Sequence, residues 1–127
     1  MRSFHSQLGA YLAAQGVGTL GSSLFLAEAP LTSTGTVVLL QETPGPVPLP
    51  GRGVVLRVQV TALASAPETA RGKAWDVYDL LDGRGPMQIG TEAVTFIRAL
   101  QRPYLLQRDE SERWRFVFNV EFRFVGP

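Results

Sequence analysis

The stretch RWRFVFNVEFRFV, Arg113 to Val125, decides the fold. Its even positions are all apolar: Trp114, Phe116, Phe118, Val120, Phe122 and Phe124. Its odd positions are Arg113, Arg115, Val117, Asn119, Glu121, Arg123 and Val125. Successive side chains of a β-strand point to opposite faces. A period of two held this long predicts one strand with a greasy face and a mostly charged face. The greasy face belongs in a core, and the charged face needs a reason.

Working back from this strand, DESE (Asp109–Glu112) reads as a charged turn. MQIGTEAVTFIRAL and then QRPYLLQR read as extended chain before it. The two arms form a C-terminal hairpin, Ile97–Val125. A four-residue loop without a bulge pairs Arg108 with Arg113, Leu106 with Arg115 and Tyr104 with Val117. It also pairs Arg102 with Asn119, Leu100 with Glu121 and Arg98 with Arg123. The outer face then carries Arg98, Arg102, Arg108, Arg113, Arg115 and Arg123, half of the chain's 12 basic residues, with Glu121 the only acid among them. Like charges facing one another across strands are unfavourable by some tenths of a kcal/mol. Leu100, Tyr104, Leu106 and Val117 share the face, so it is not a purely solvent face. It reads as a protein interface with an acidic partner. A solvated face whose arginine stems cover apolar surface is the plain alternative. Nucleic acid is the third, with arginines on phosphates and Tyr104 stacking on a base. Pro103 is a place where a bulge would slip the register by one.

The rest of the chain supplies layers for the greasy face. Phe4, Leu8, Tyr11 and Leu12 form one stripe of a short helix, with Ser3 as a candidate N-cap and Gly16 as its stop. LFLAEA (Leu24–Ala29) and GTVVLLQE (Gly35–Glu42) read as strands. TPGPVPLPGRG (Thr43–Gly53) is too rich in proline for a helix or an inner strand, and reads as a stiff extended loop or an arm onto a neighbouring subunit. In VVLRVQVTAL, Val54, Leu56, Val58 and Val60 face one way and Arg57, Gln59 and Thr61 the other. SAPETARGKAWDVYDLLDG is the strongest helix, with Ser65 and Glu68 as a capping box, Pro67 in the first turn and Gly83 as the stop. Ala70, Ala74, Val77, Tyr78 and Leu81 form its inner stripe. A further short strand fits near Met87–Ile89. The order predicts an α+β fold: a mostly antiparallel sheet with two α-helices packed on one face.

With 127 residues the chain suits a single domain, 1–127, able to bury roughly 65–70% of its unfolded surface. It has no cysteine, which excludes disulfides and thiolate metal sites. A net charge of +1 gives no bulk attraction for nucleic acid or an anionic membrane. The N-terminus lacks the apolar run of a signal peptide, and no stretch reaches the ~18–20 apolar residues of a membrane span. These features predict a soluble intracellular protein.

Few motifs suggest chemistry. GVGTLG (Gly16–Gly21) matches G-x-G-x-x-G, but it follows a helix and precedes a strand, the reverse of a dinucleotide site. His5 is the only histidine, so nucleophile–histidine–acid catalysis would have to run through it. Asp76, Asp79 and Asp82 form either a weak divalent-ion patch or a solvated helix face. No catalytic constellation emerges, and neither an enzyme nor a cofactor is expected.

IRALQRPYLLQRDESERWRFVFNVEFRF (Ile97–Phe124) resembles the C-terminal signature of phage minor capsid, tail-terminator-like proteins: a Pro–aromatic–Leu step, a short RDE turn, then an alternating strand containing an asparagine. AWDVYDLLDG resembles that family's central helix. LAAQGVGTLGSSLFLAEAP resembles its N-terminal helix, glycine turn and first strand. The proline-rich loop is looser than the family pattern. The resemblance implies an α+β subunit of a homo-oligomeric ring, commonly a hexamer, on the head-proximal end of the tail tube. It implies as partners the tail tube protein and the head completion or connector protein, with genome DNA passing through the ring without specific binding and no membrane. The protein would be assembled in the host cytoplasm and reside in the virion. A head–tail connector protein is the neighbouring alternative. A head-to-tail ring needs two complementary patches. The arginine face offers one, and the acids Asp76, Asp79, Asp82, Asp109, Glu110 and Glu112 offer the other.

Overall fold

The computed structural model describes residues 4–26, 35–43, 47–49, 53–108 and 112–124. In chain order the elements are α1 (Phe4–Ala14), β1 (Leu24–Leu26), β2 (Val37–Glu42), β3 (Val47–Leu49), β4 (Gly53–Ala64), α2 (Pro67–Leu81), β5 (Met87–Ile89), β6 (Glu92–Ala99), β7 (Tyr104–Leu106) and β8 (Trp114–Phe124). The strands form one sheet in the order β1-β2-β4-β8-β6-β5, with β3 added to β4 and β7 to β8. Only β1 and β2 run parallel; every other pair is antiparallel.

The alternating strand β8 lies at the centre. It pairs with β4 along its whole length, from Val54 opposite Phe124 to Ala64 opposite Trp114. Phe118, Val120, Phe122 and Phe124 face the core with Leu56, Val58 and Val60 of β4. Both helices cover this face. Phe4 of α1 meets Phe122 and Phe124 edge to face at 5.0 and 4.9 Å, and Tyr78 of α2 meets Phe118 at 5.6 Å. Edge-to-face geometry sets the positive rim of one ring against the negative face of the next. Leu8, Leu12, Val77 and Leu81 complete the layer, all fully buried. The expected α+β class, with both helices on one face, is the observed one. Trp114 and Phe116, at the far end of the greasy face, are only half-buried.

The hairpin differs from its expected register. Leu106 opposite Arg115 and Tyr104 opposite Val117 are as expected. Beyond them the chain leaves the ladder over residues 100–103 and re-enters displaced by two: Arg98 faces Glu121 rather than Arg123, and Phe96 faces Arg123. Pro103 has no N–H to give the ladder, which favours a break there. The Gln101 side chain accepts the Asn119 N–H at 2.6 Å, and the Leu100 N–H reaches the Asn119 carbonyl at 2.8 Å. A slip of two keeps every side chain on its face, whereas a slip of one would have inverted them.

Two local expectations also need correction. Ser65 and Glu68 form no capping box: the N-cap is Ala66, in extended conformation and without a side-chain cap bond. Pro67 takes the first helical position, and this places the cap one residue later than Ser65. Gly83 does end α2, with φ +77. The proline-rich loop is not wholly free: Val47–Leu49 pairs with β4, Pro48 opposite Val54. Among the described residues β3 pairs on β4 alone, an edge position in which proline is tolerated. Ser3 lies outside the described residues.

Candidate interaction face

The sheet face opposite the helices carries the charge. At its centre, Glu121 of β8 lies between Arg57 of β4 and Arg98 of β6, one on each neighbouring strand. Its Oε1 accepts from Arg57 Nη2 at 3.3 Å. Its Oε2 accepts from Arg123 Nε at 3.0 Å and lies 3.5 Å from Arg98 Nη2. The Glu121 side chain is only 3% exposed, while those of Arg57, Arg98 and Arg123 are 49%, 52% and 43% exposed. One buried acid thus holds three arginines whose heads remain half in solvent, a local excess of two positive charges. Burial pushes the Glu121 carboxyl up, but the hydrogen bond and charge of Arg123, then Arg57 and Arg98, outweigh it and hold the group below its ordinary range. The face is therefore not simply solvated: Val117 is fully buried and Thr61 nearly so.

The other expected members disperse. Arg102 lies in the break between β6 and β7, exposed and outside both ladders, so it is not opposite Asn119. Arg115 donates from Nε to the Gln107 carbonyl at 2.7 Å. Arg108 is not paired with Arg113: it donates to Glu112 at 3.1 Å and lies over the Trp114 ring at 4.1 Å. Arg113 is buried. Tyr104 stays on the outer face, 40% exposed, and Phe96 beside Arg123 is equally open. Leu100 is similarly exposed. Arginine next to exposed aromatic and aliphatic side chains is the composition of an interface core.

Arg57 is the member that the hairpin alone does not reveal. The alternation of β4 places it on the outer face, but only the β4–β8 register, joining residues 64 apart in sequence, brings it to Glu121.

The acidic set also divides. Asp82 accepts the Ala99 N–H at 2.8 Å and is taken up by the fold. Burial, and then this carboxylate, push the Tyr78 hydroxyl pKa up. Glu112 is held by Arg108, and Asp109 and Glu110 lie outside the described residues. Asp76 and Asp79 remain exposed on α2. They line an open groove of about 420 Å³ with Lys73, Leu80, Arg84 and the turn after α1.

The motifs set aside for chemistry are structural here. His5 Nε2 lies 2.9 Å from the Leu40 carbonyl and ties α1 to the sheet. In the glycine turn, Ser23 Oγ accepts the Thr19 N–H, closing the loop on itself. Among the described residues, no group of three histidine or acidic side chains is arranged to hold a metal ion, and no helix is long and apolar enough to cross a membrane.

Comparison with known proteins gives a consistent placement. No curated protein matches the chain. Among solved structures, a chain of the virion of a native gene transfer agent particle is similar over 97% of this chain and 92% of its own, with 23% identity and a TM-score of 0.65. At that identity the likeness is one of fold. A family model described as bacteriophage tail terminator protein matches residues 11–125. Since that match spans the end of α1, all of α2 and every strand of the sheet, the chain belongs to the bacteriophage tail terminator family.

Proposed function

We propose that this virion structural protein closes into a ring, six copies being the expected number, on the head-proximal end of the tail tube. There it stops further tube subunits from adding and offers the surface on which the head connector docks. The family match over residues 11–125 carries this reading. The outer sheet face supports it. A ring of identical subunits, bound in turn to tube and connector, needs more contact surface than a monomer that works alone. The three half-exposed arginines with the exposed Phe96 beside them, and the exposed Tyr104 further along the same face, are surface of that kind. The activity is occupancy: the ring satisfies the open end of a growing polymer, and no covalent step is involved.

The test is a tube-growth assay. Tail tube protein is polymerised with and without this protein, and tube lengths are measured in electron micrographs. Sub-stoichiometric protein is expected to halt elongation and to appear as a ring at one end. Unchanged tube lengths, with the protein bound only to connector, would assign it to the connector side of the joint.

A further inference from the structure

We infer that the arginine site anchored on Glu121 receives the carboxylates of Asp76 and Asp79 from α2 of a second copy of this chain. The inference rests on the ring reading and specifies the joint between subunits.

The first argument is position. The inner stripe of α2, Ala70, Ala74, Val77 and Leu81, is fully buried against the sheet, so Asp76 and Asp79 face outward from the helix layer. Arg57, Arg98 and Arg123 lie on the opposite surface of the sheet. The two patches thus occupy opposite sides of the sandwich and differ from each other. Subunits joined through such patches associate head to tail, which closes a ring when each copy is rotated by a fixed fraction of a turn from the last.

The second is charge. Three guanidinium groups less one carboxylate leave two positive charges unanswered, and two carboxylates answer them. No ion pair among the described residues uses Asp76 or Asp79. Lys73 and Arg84 border their groove without pairing to either. The spacing also fits. Arg57 and Arg98 flank β8 at about two strand spacings, roughly 10 Å apart at Cα. Acids three apart on a helix sit about 5–6 Å from each other, and arginine stems span the difference.

The third is pre-organisation. Glu121 already holds the three guanidinium groups in one place, so less side-chain freedom is lost on docking. Phe96, exposed and opposite Arg123, borders the site with an apolar ring that excludes water from a docked partner. Nucleic acid suits the site less well, since a net charge of +1 gives the chain no bulk attraction for a polyanion.

The chain has no cysteine, so introduced thiols are its only ones. Gln59→Cys, two residues from Arg57 on the same face, and Lys73→Cys, beside the acid groove, are made as separate proteins, mixed, and treated with a short bis-maleimide, both free in solution and on tail tubes. Neither removes an arginine or a carboxylate of the joint, and circular dichroism checks each fold. The expected product is a covalent dimer containing one of each variant, and a ladder ending at ring size from the double variant. Asp76→Lys with Asp79→Lys is expected to raise the concentration for half-assembly at least about tenfold. Like-with-like cross-links, a multimer that does not cross-link at these positions, or assembly unaffected by the lysines would overturn the inference. So would DNA binding that weakens with salt, without inter-subunit cross-links. Cross-linking without arrest of tube growth would keep this joint and remove the terminator reading. Arrest without cross-linking would do the reverse, and a monomer under every condition, tube ends included, would remove both.

Discussion

Replacing Glu121 with glutamine keeps its shape and removes the charge around which three arginines gather. Breaking a fully buried ion pair costs about 3–5 kcal/mol. Here the arginine heads are 43–52% exposed, so water screens part of the loss, and about 1–2 kcal/mol is expected from urea unfolding at neutral pH. The pH dependence gives a second signature. The carboxyl is held below its ordinary value of 4.5 by the arginines. In acid the unfolded chain therefore takes up this proton before the folded one does. The stability contributed by Glu121 is whole above 4.5 and is lost as pH falls through the lower folded value. Wild type should lose stability more steeply than Glu121→Gln between about pH 5 and pH 3, and parallel slopes would contradict the assignment. A core residue gives the contrasting case. Phe4 is fully buried against Phe122 and Phe124, so Phe4→Ala should cost about 3–5 kcal/mol with no such pH signature, measured by the same unfolding curves.

At the scale of elements, the break between β6 and β7 positions the site. Residues 100–103 leave the ladder, and the Gln101 side chain takes the Asn119 N–H that the strand no longer satisfies. Gln101→Ala should cost about 1 kcal/mol and speed amide exchange at Asn119 while leaving Val120 and Phe122 protected; unaltered exchange at Asn119 would show that the bond is dispensable. This break marks the limit of what the sequence reveals. The central strand was legible because eleven residues alternate with almost no exception. Arg98 was correctly assigned to the outer face because the slip is of two residues, which preserves the parity of every side chain. Its partner was not legible, because a strand pattern carries no information about how many residues a loop removes from the ladder. The cap of α2 was missed for a different reason. Ser65 and Glu68 satisfy a pattern, but Pro67 fixes the first helical residue more firmly than the pattern does.

At the scale of the molecule, the same reasoning explains why only two of the six expected arginines stay together. Arg98, Glu121 and Arg123 meet; Arg102 lies in the break after β6, Arg108 goes to Trp114 and Glu112, Arg115 to a backbone carbonyl, and Arg113 is buried. Arg57 enters from β4 through a pairing that closes only when the whole sheet forms. What this leaves on the surface is a compact cationic centre with an apolar margin, and the two parts should separate experimentally. Phe96 and Tyr104 are each 40% exposed, so serine at both gives up the part of each ring that the subunit itself covers. That loss should cost the subunit about 1–2 kcal/mol for each ring. At an interface core the same side chains would be fully desolvated, and truncating such anchors commonly costs about 2 kcal/mol or more in association. The double variant should therefore melt lower than wild type but stay folded at 25 °C, and there need about 30-fold more protein to assemble, by native mass against concentration. High salt should weaken the joint between copies further, since its charged centre is partly open to ions. If the folded variant assembles as wild type does, Phe96 and Tyr104 belong to the subunit's own packing, and the face would have to bind through its arginines alone.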